Sequence, residues 1–201
     1  MKLFSCFYGI ILLVLCSFKF NNEGEKARDY LSVPGPVEYN KVKYGLSWSA
    51  HPADNYYKQE YLPANENPET YRSMLMIEAV TSQVTLEDAV NAKINELQQR
   101  KNSDALTNYQ LTKSSNGDEY LLDFIMSEAA GKQTAIVEWN VYRYINLKSK
   151  SASRGVMLFG YSKRSYGKQA NSFLSMLKKE RLGEIKNMGG FTIPMVKISQ
   201  Q

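Results

Sequence analysis

Tyr71-Arg72-Ser73-Met74-Leu75-Met76-Ile77-Glu78-Ala79-Val80 decides how this chain folds. Strict alternation would mark a strand with one buried face. Here Met74 and Met76 oppose Leu75 and Ile77, so both faces are apolar, as in a central strand covered on both sides.

Upstream, Val42, Tyr44, Leu46 and Trp48 alternate with Lys43, Gly45, Ser47 and Ser49, which predicts a half-buried strand with the apolar set facing the core. Between them, His51 to Pro68 reads as an irregular, tyrosine-rich stretch closed by the polar loop Asn65-Glu66-Asn67-Pro68. Downstream, Thr85 suits a helix N-cap, and Glu87 and Asp88 sit in the first turn. Leu86, Ala89, Val90, Ile94 and Leu97 then form one stripe at helical spacing.

Asn116-Gly117 signals a hairpin between Tyr109–Leu111 and a strand from Glu119 to Ser127. Further strands are expected over Thr134–Leu147 and Val156–Lys163, giving an antiparallel meander. A second helix is expected from about Tyr166 to Asn187, stopped by Gly189-Gly190, with an edge strand over Phe191–Ile198. Two-sided strands need cover on both sides, so the expected fold is α+β: an α/β/α sandwich with a mainly antiparallel sheet and helices on both faces. A cystatin-like cone would leave one sheet face open.

The early aromatic strand ending Leu46-Ser47-Trp48, the helix from Thr85, the strands around Asn116-Gly117 and the basic last helix carry a resemblance over residues 36–187. In that element order the chain resembles the PsbP-like fold, which includes the extrinsic photosystem protein and small envelope lipoproteins of the DcrB type. The resemblance implies a fold. It carries no functional residue with it.

The N-terminus sets the compartment. Lys2 precedes an apolar run from Leu3 to Phe18, about 16 residues, with the n-region and h-region of an export signal. Residues 1–20 are therefore read as a signal peptide or lipoprotein signal, 21–35 as a tether and 36–201 as one α+β domain. Three fates are open: simple cleavage, lipidation at Cys16, or an uncleaved anchor. Cys6 and Cys16 are the chain's two cysteines, so the body is expected to fold without disulfides, thiolate metal sites or a cysteine nucleophile. The expected location is the periplasm or the membrane surface of a bacterial envelope. The absence of an Asn-x-Ser/Thr sequon is consistent with that.

Charge is divided along the chain. Residues 21–140 hold 11 Lys/Arg against 18 Asp/Glu, a net of −7. Residues 143–186 hold 11 Lys/Arg against Glu180 and Glu184, a net of +9. Within that stretch Lys148, Lys150, Arg154, Lys163, Arg164 and Lys168 form a candidate surface for anionic headgroups or an acidic protein, or else a solvated face balancing the acidic half. Nucleic acid suits the charge, but export argues against it.

His51 is the single histidine. With Asp54 it is the one route to a Ser-His-Asp triad, yet no Gly-x-Ser-x-Gly elbow accompanies it, and a solvated loop is the simpler reading. Asp123 and Glu138 lie in predicted strands, where they could pair as catalytic carboxylates but also fit polar positions on a partly exposed face or partners of Arg143. Gly189-Gly190 comes after a helix rather than opening one, the wrong polarity for phosphate. Neither a metal nor a cofactor is expected. Tyr56, Tyr57 and Tyr61 form a candidate binding surface, whereas Trp48 is expected in the core by strand parity. The sequence therefore points to a non-catalytic accessory or binding module, with a lipid-binding peripheral protein and a His51 hydrolase as alternatives.

Overall fold

The computed structural model describes residues 27–130, 133–147 and 154–198. The apolar run 3–18, both cysteines, Lys148 and Lys150 lie outside the described residues. In chain order the elements are β1 (Val37–Tyr39), β2 (Val42–Ala53), β3 (Tyr56–Pro63), β4 (Ser73–Val80) and α1 (Leu86–Arg100). They continue with β5 (Asn108–Lys113), β6 (Glu119–Ala130), β7 (Gln133–Asn146), β8 (Val156–Tyr166) and α2 (Ala170–Gly190), which a short 3-10 turn, Gly167–Gln169, introduces.

All eight strands form one antiparallel sheet in the order β1-β2-β3-β4-β8-β7-β6-β5. Two meanders, β1–β4 and β5–β8, are joined where β4 pairs with β8. The 71–80 stretch thus supplies one of the two middle strands, which explains its two apolar faces.

The expected α/β/α sandwich, with helical layers covering both faces, does not form: each face carries a single helix that reaches only part of the sheet. The fold is a single eight-stranded antiparallel sheet with only two helices among the described residues. Each helix spans part of the sheet: α1 packs on β5, β6 and β7, and α2 on β6, β7 and β8. Part of the burial that two-sided strands demand is met by segments that are not helical. Leu31 and Val33, inside the stretch read as a tether, are buried, as are Val196 and Ile198 from the tail. The tail is an extended segment rather than the expected edge strand. It is fastened by the Lys197 N–H donating to the Leu31 carbonyl at 2.9 Å and Ser32 Oγ donating to the Lys197 carbonyl at 3.1 Å.

In β3, β4, β6, β7 and β8 the side chains sort by residue parity, while β5 pairs with β6 in the opposite parity. Tyr61, Leu75, Ile77, Val137, Trp139, Val141, Phe159 and Tyr161 share one core cluster with Phe173, Leu177 and Met188 of α2. Met76, Leu122, Phe124, Tyr144 and Leu158 share another with Leu86, Val90 and Leu97 of α1. We call these the odd and even faces. A hydrophobic core of this extent contributes roughly 25 cal/mol per Å² of apolar area removed from water.

α1 forms as its sequence predicts. Thr85 caps it by accepting from the Asp88 N–H at 3.1 Å, while Asp88 accepts from the Thr85 N–H at 3.2 Å, a reciprocal capping box. The β5–β6 hairpin departs from the expected two-residue turn. Only Gly117 takes a positive φ (76°), and a longer loop closes where the Ser114 N–H meets the Glu119 carbonyl at 3.0 Å. The stretch from His51 to Pro68, expected to be irregular, instead holds the end of β2 and all of β3.

Trp48 is a second correction. The pairing passes from Leu46↔Tyr61 to Trp48↔Glu60, so Ser47 is an extra residue on β2. A bulge reverses the parity of the residues beyond it. Tyr44 remains in the core, but Trp48 moves to the even face and is 37% exposed.

Candidate functional site

The even face holds the densest polar constellation of the described residues. It begins where α1 ends its cover. Tyr142 sits at that margin, edge-on to Phe124 with ring centroids 4.9 Å apart. Its ring lies over Gly160, where an added Cβ would come within 3.0 Å of Tyr142 and 3.2 Å of Met76. Glycine there gives the tyrosine room to cross the strand without displacing it or Met76.

Toward β3 and β2 the face becomes charged. Lys58 Nζ lies 2.9 Å from Glu60 and 3.7 Å from Glu78, and 5.8 Å from the centre of the Trp48 ring. Burial works against the Lys58 charge, but Glu60 and Glu78 outweigh it and hold the ammonium above its ordinary pKa. Burial first, and then Glu78, push the Tyr56 phenol upward.

Toward the far end of β7 and β8 the same face closes into a buried knot. Glu138 accepts from Tyr71 Oη at 2.9 Å, Asn140 Nδ2 at 3.1 Å and Arg164 Nε at 2.5 Å. Ser162 Oγ donates to Asn140 Oδ1, and the Arg164 guanidinium lies 4.1 Å above the Tyr71 ring. Tyr166 Oη donates to the Tyr71 carbonyl at 2.9 Å, fixing the loop that carries Tyr71. Burial, and then Glu138, raise the Tyr71 phenol. Arg164 is also raised, since Glu138 and Tyr71 outweigh the burial that opposes its charge. Tyr142 and Tyr144 are raised by burial.

These shifts point one way. Phenols remain protonated and cations remain charged. Tyr71 and Tyr144 are closed inside the face, and Trp48, Tyr56, Lys58, Glu60 and Glu78 are what reach its surface. That chemistry suits recognition by hydrogen bonding and stacking.

The expected site residues are divided by the fold. Of the three tyrosines, Tyr56 alone is on the even face. Tyr57 and Tyr61 are buried in the odd-face core. Tyr61 Oη donates to the Val33 carbonyl at 2.8 Å and accepts from Gln59 Nε2 at 2.6 Å, so it fastens residues 31–33 rather than meeting a partner. His51 Nδ1 is 2.9 Å from the Tyr56 carbonyl, and its ring stacks on Tyr57 with centroids 4.2 Å apart. Asp54 is exposed and makes no hydrogen bond to it among the described residues.

The basic residues are also parted. Lys163 faces α2 and pairs with Glu184 at 2.6 Å and Glu180 at 3.4 Å, while its neighbour Arg164 points to the even face. Arg154 is exposed and donates to Gln83 Oε1 at 3.1 Å, and Lys168 is exposed. Asp123 and Glu138 lie on opposite faces and cannot pair. Asp123 accepts from Arg181 Nε at 2.5 Å and Nη2 at 2.9 Å. Arg143 serves neither. It binds Glu119 at 2.8 Å and donates to the Met188 and Phe191 carbonyls at 3.2 and 2.8 Å, which satisfies the C-terminus of α2.

Lys58, Glu60 and Glu78 escape a reading of the sequence alone. Their shared face becomes visible only once the β2 bulge and the β3–β4 register are known. Among the described residues no group of three or more His, Cys, Asp or Glu side chains is placed to hold a metal ion.

No curated protein and no solved structure matches this chain. A protein-family model matches residues 31–193, starting at the first buried residue of the odd-face core and ending in the tail. The chain belongs to that family, whose match brings no description of activity.

Proposed function

We propose that this chain is an exported, non-catalytic binding domain of the bacterial envelope, and that it recognises a protein partner through the even face of β2, β3 and β4. The observation that carries this is the exposed Trp48 held beside a half-buried charge set, Lys58, Glu60 and Glu78. An aromatic side chain with satisfied charges around it is the composition of an interface centre and its rim. The apolar run from Leu3 to Phe18 supports export.

A photo-crosslinking amino acid placed at Trp48 tests the reading in cells. A discrete adduct is expected there and is not expected from the same group at Thr112 on β5. Equal labelling at both positions, or none at Trp48, would overturn it.

A further inference from the structure

The pairing of charges across α2 is one-sided. Its acidic residues are paired with the sheet: Glu184 meets Lys163 and accepts from Asn40 Nδ2 at 2.7 Å, and Glu180, half exposed, also reaches Lys163 at 3.4 Å. Arg181 is engaged with Asp123 and with Gln110, at 2.8 Å. What remains outward is Lys178, Lys179 and Lys186, all exposed and none with a carboxylate partner among the described residues. Lys179, Leu182 and Lys186 succeed one another at three- and four-residue spacing, so they share a stripe. Leu182 is 74% exposed in the middle of it, and Met176, 39% exposed, lies on its flank.

Leu182, exposed among lysines, buries little apolar area in the folded domain. At a lipid headgroup layer it would bury more. There cations meet anionic phosphates, and a leucine reaches the acyl boundary. We propose that the outer stripe of α2 is a docking surface for an anionic bilayer, with Lys178, Lys179 and Lys186 meeting headgroup phosphates and Leu182 entering the interface.

Charge complementarity decides between this occupant and a purely apolar partner, because three unpaired ammonium groups would be desolvated at an apolar contact. α2 covers the odd face, so a domain docked this way turns the even face, with Trp48, away from the lipid. Lipid docking by α2 does not depend on a protein partner at Trp48. It also narrows the basic 143–186 stretch to its last helix.

The full chain is the right material, and the apolar run at its N-terminus makes bulk vesicle binding uninformative. The readout must be local. An environment-sensitive fluorophore is attached at Leu182→Cys in the chain carrying Cys6→Ser and Cys16→Ser. Its emission is recorded with phosphatidylcholine vesicles and with vesicles of about one-third phosphatidylglycerol.

A blue shift and intensity gain are expected only with the anionic vesicles, and reversal is expected in half-molar salt, where screening is nearly complete within a few Å. Each lysine near an anionic leaflet is worth about fivefold in binding, so Lys178→Gln, Lys179→Gln and Lys186→Gln together should lower docking on the order of 100-fold. These three side chains are exposed, so the variant keeps its fold. Equal emission with both vesicle types, or a signal indifferent to salt and to the three substitutions, would overturn the proposal.

Discussion

The odd and even faces of the sheet carry comparable apolar patterns but are closed by different means. On the odd face α2, the segment around Leu31 and Val33, and the tail around Val196 and Ile198 converge over Trp139, Phe159 and Tyr161. Closure there has an apolar centre, with Lys163 paired to Glu184 and Arg181 to Asp123 along α2, and draws on both ends of the folded body. On the even face one helix covers three strands. The remainder is sealed by ion pairs and tyrosines: Lys58 with Glu60 and Glu78, and Arg164 with Glu138 beneath Tyr71. Neutral packing tolerates a missing partner by partial collapse, whereas a charge network fails when one member is removed.

Glu138 is the sharpest place to break that contrast. Replacing it with Ala leaves Arg164, the Tyr71 hydroxyl and Asn140 Nδ2 without their shared acceptor. We expect a loss of about 3 kcal/mol in urea unfolding, since removing one partner of a buried pair leaves the other charge uncompensated. The double change Glu138→Met with Arg164→Met should lose much less. If both variants lose the same amount, the knot owes its stability to packing, and the contrast between the faces collapses.

Asp104 tests how α1 is held on the even side. It lies just beyond the helix and is buried, accepting from the Ser127 N–H at 2.6 Å, Ser127 Oγ at 2.7 Å, Thr107 Oγ1 at 2.7 Å and the Leu106 N–H at 3.0 Å. Burial disfavours its charge, but these bonds outweigh it and lower the pKa to about 2. A folded-state pKa below the unfolded value contributes stability above the unfolded pKa of about 3.9, and that contribution fades as pH falls through the folded value. The stability gap between the native chain and Asp104→Asn should therefore narrow by about 2 kcal/mol between pH 6 and pH 2. A gap independent of pH would show that the carboxylate's charge is not what fixes α1 to β6.

α1 is legible in the sequence because a helix declares itself locally, through Thr85, Asp88 and a stripe at 3.6-residue spacing. The central position of β4 is legible for the same reason, in that both its faces are apolar. What covers those faces is not. Leu31, Val33, Val196 and Ile198 come from short extended segments with no periodicity, so a demand for cover reads as a demand for helices. Register hides the site. One extra residue at Ser47 moves Trp48 out of the core, and strand pairing rather than spacing puts Asp123 and Glu138 on opposite faces. The tyrosine cluster divides for a similar reason: Tyr56 and Tyr57 are neighbours in sequence and therefore point to opposite sides of β3.

The smallest expected effect probes the odd face at a buried polar atom that is unpaired among the described residues. Tyr39 is 1% exposed, wedged against the rings of Tyr161, Phe191 and Phe159 at 4.8, 5.1 and 6.4 Å between centroids. Its hydroxyl has no hydrogen-bond partner among the described residues. A buried donor left unpaired loses its interactions with water and regains nothing, a penalty of about 1–3 kcal/mol. Tyr39→Phe keeps the ring contacts and removes the penalised group. It should therefore raise stability by about 1 kcal/mol, and with it the thermal midpoint by a few degrees for a domain of this size. On the even face the equivalent change, Tyr71→Phe, removes a hydroxyl that Glu138 accepts from and should destabilise. Opposite signs for the two substitutions would confirm that the faces are closed by different physics. A destabilised Tyr39→Phe would place a polar partner in the odd-face core and remove the distinction.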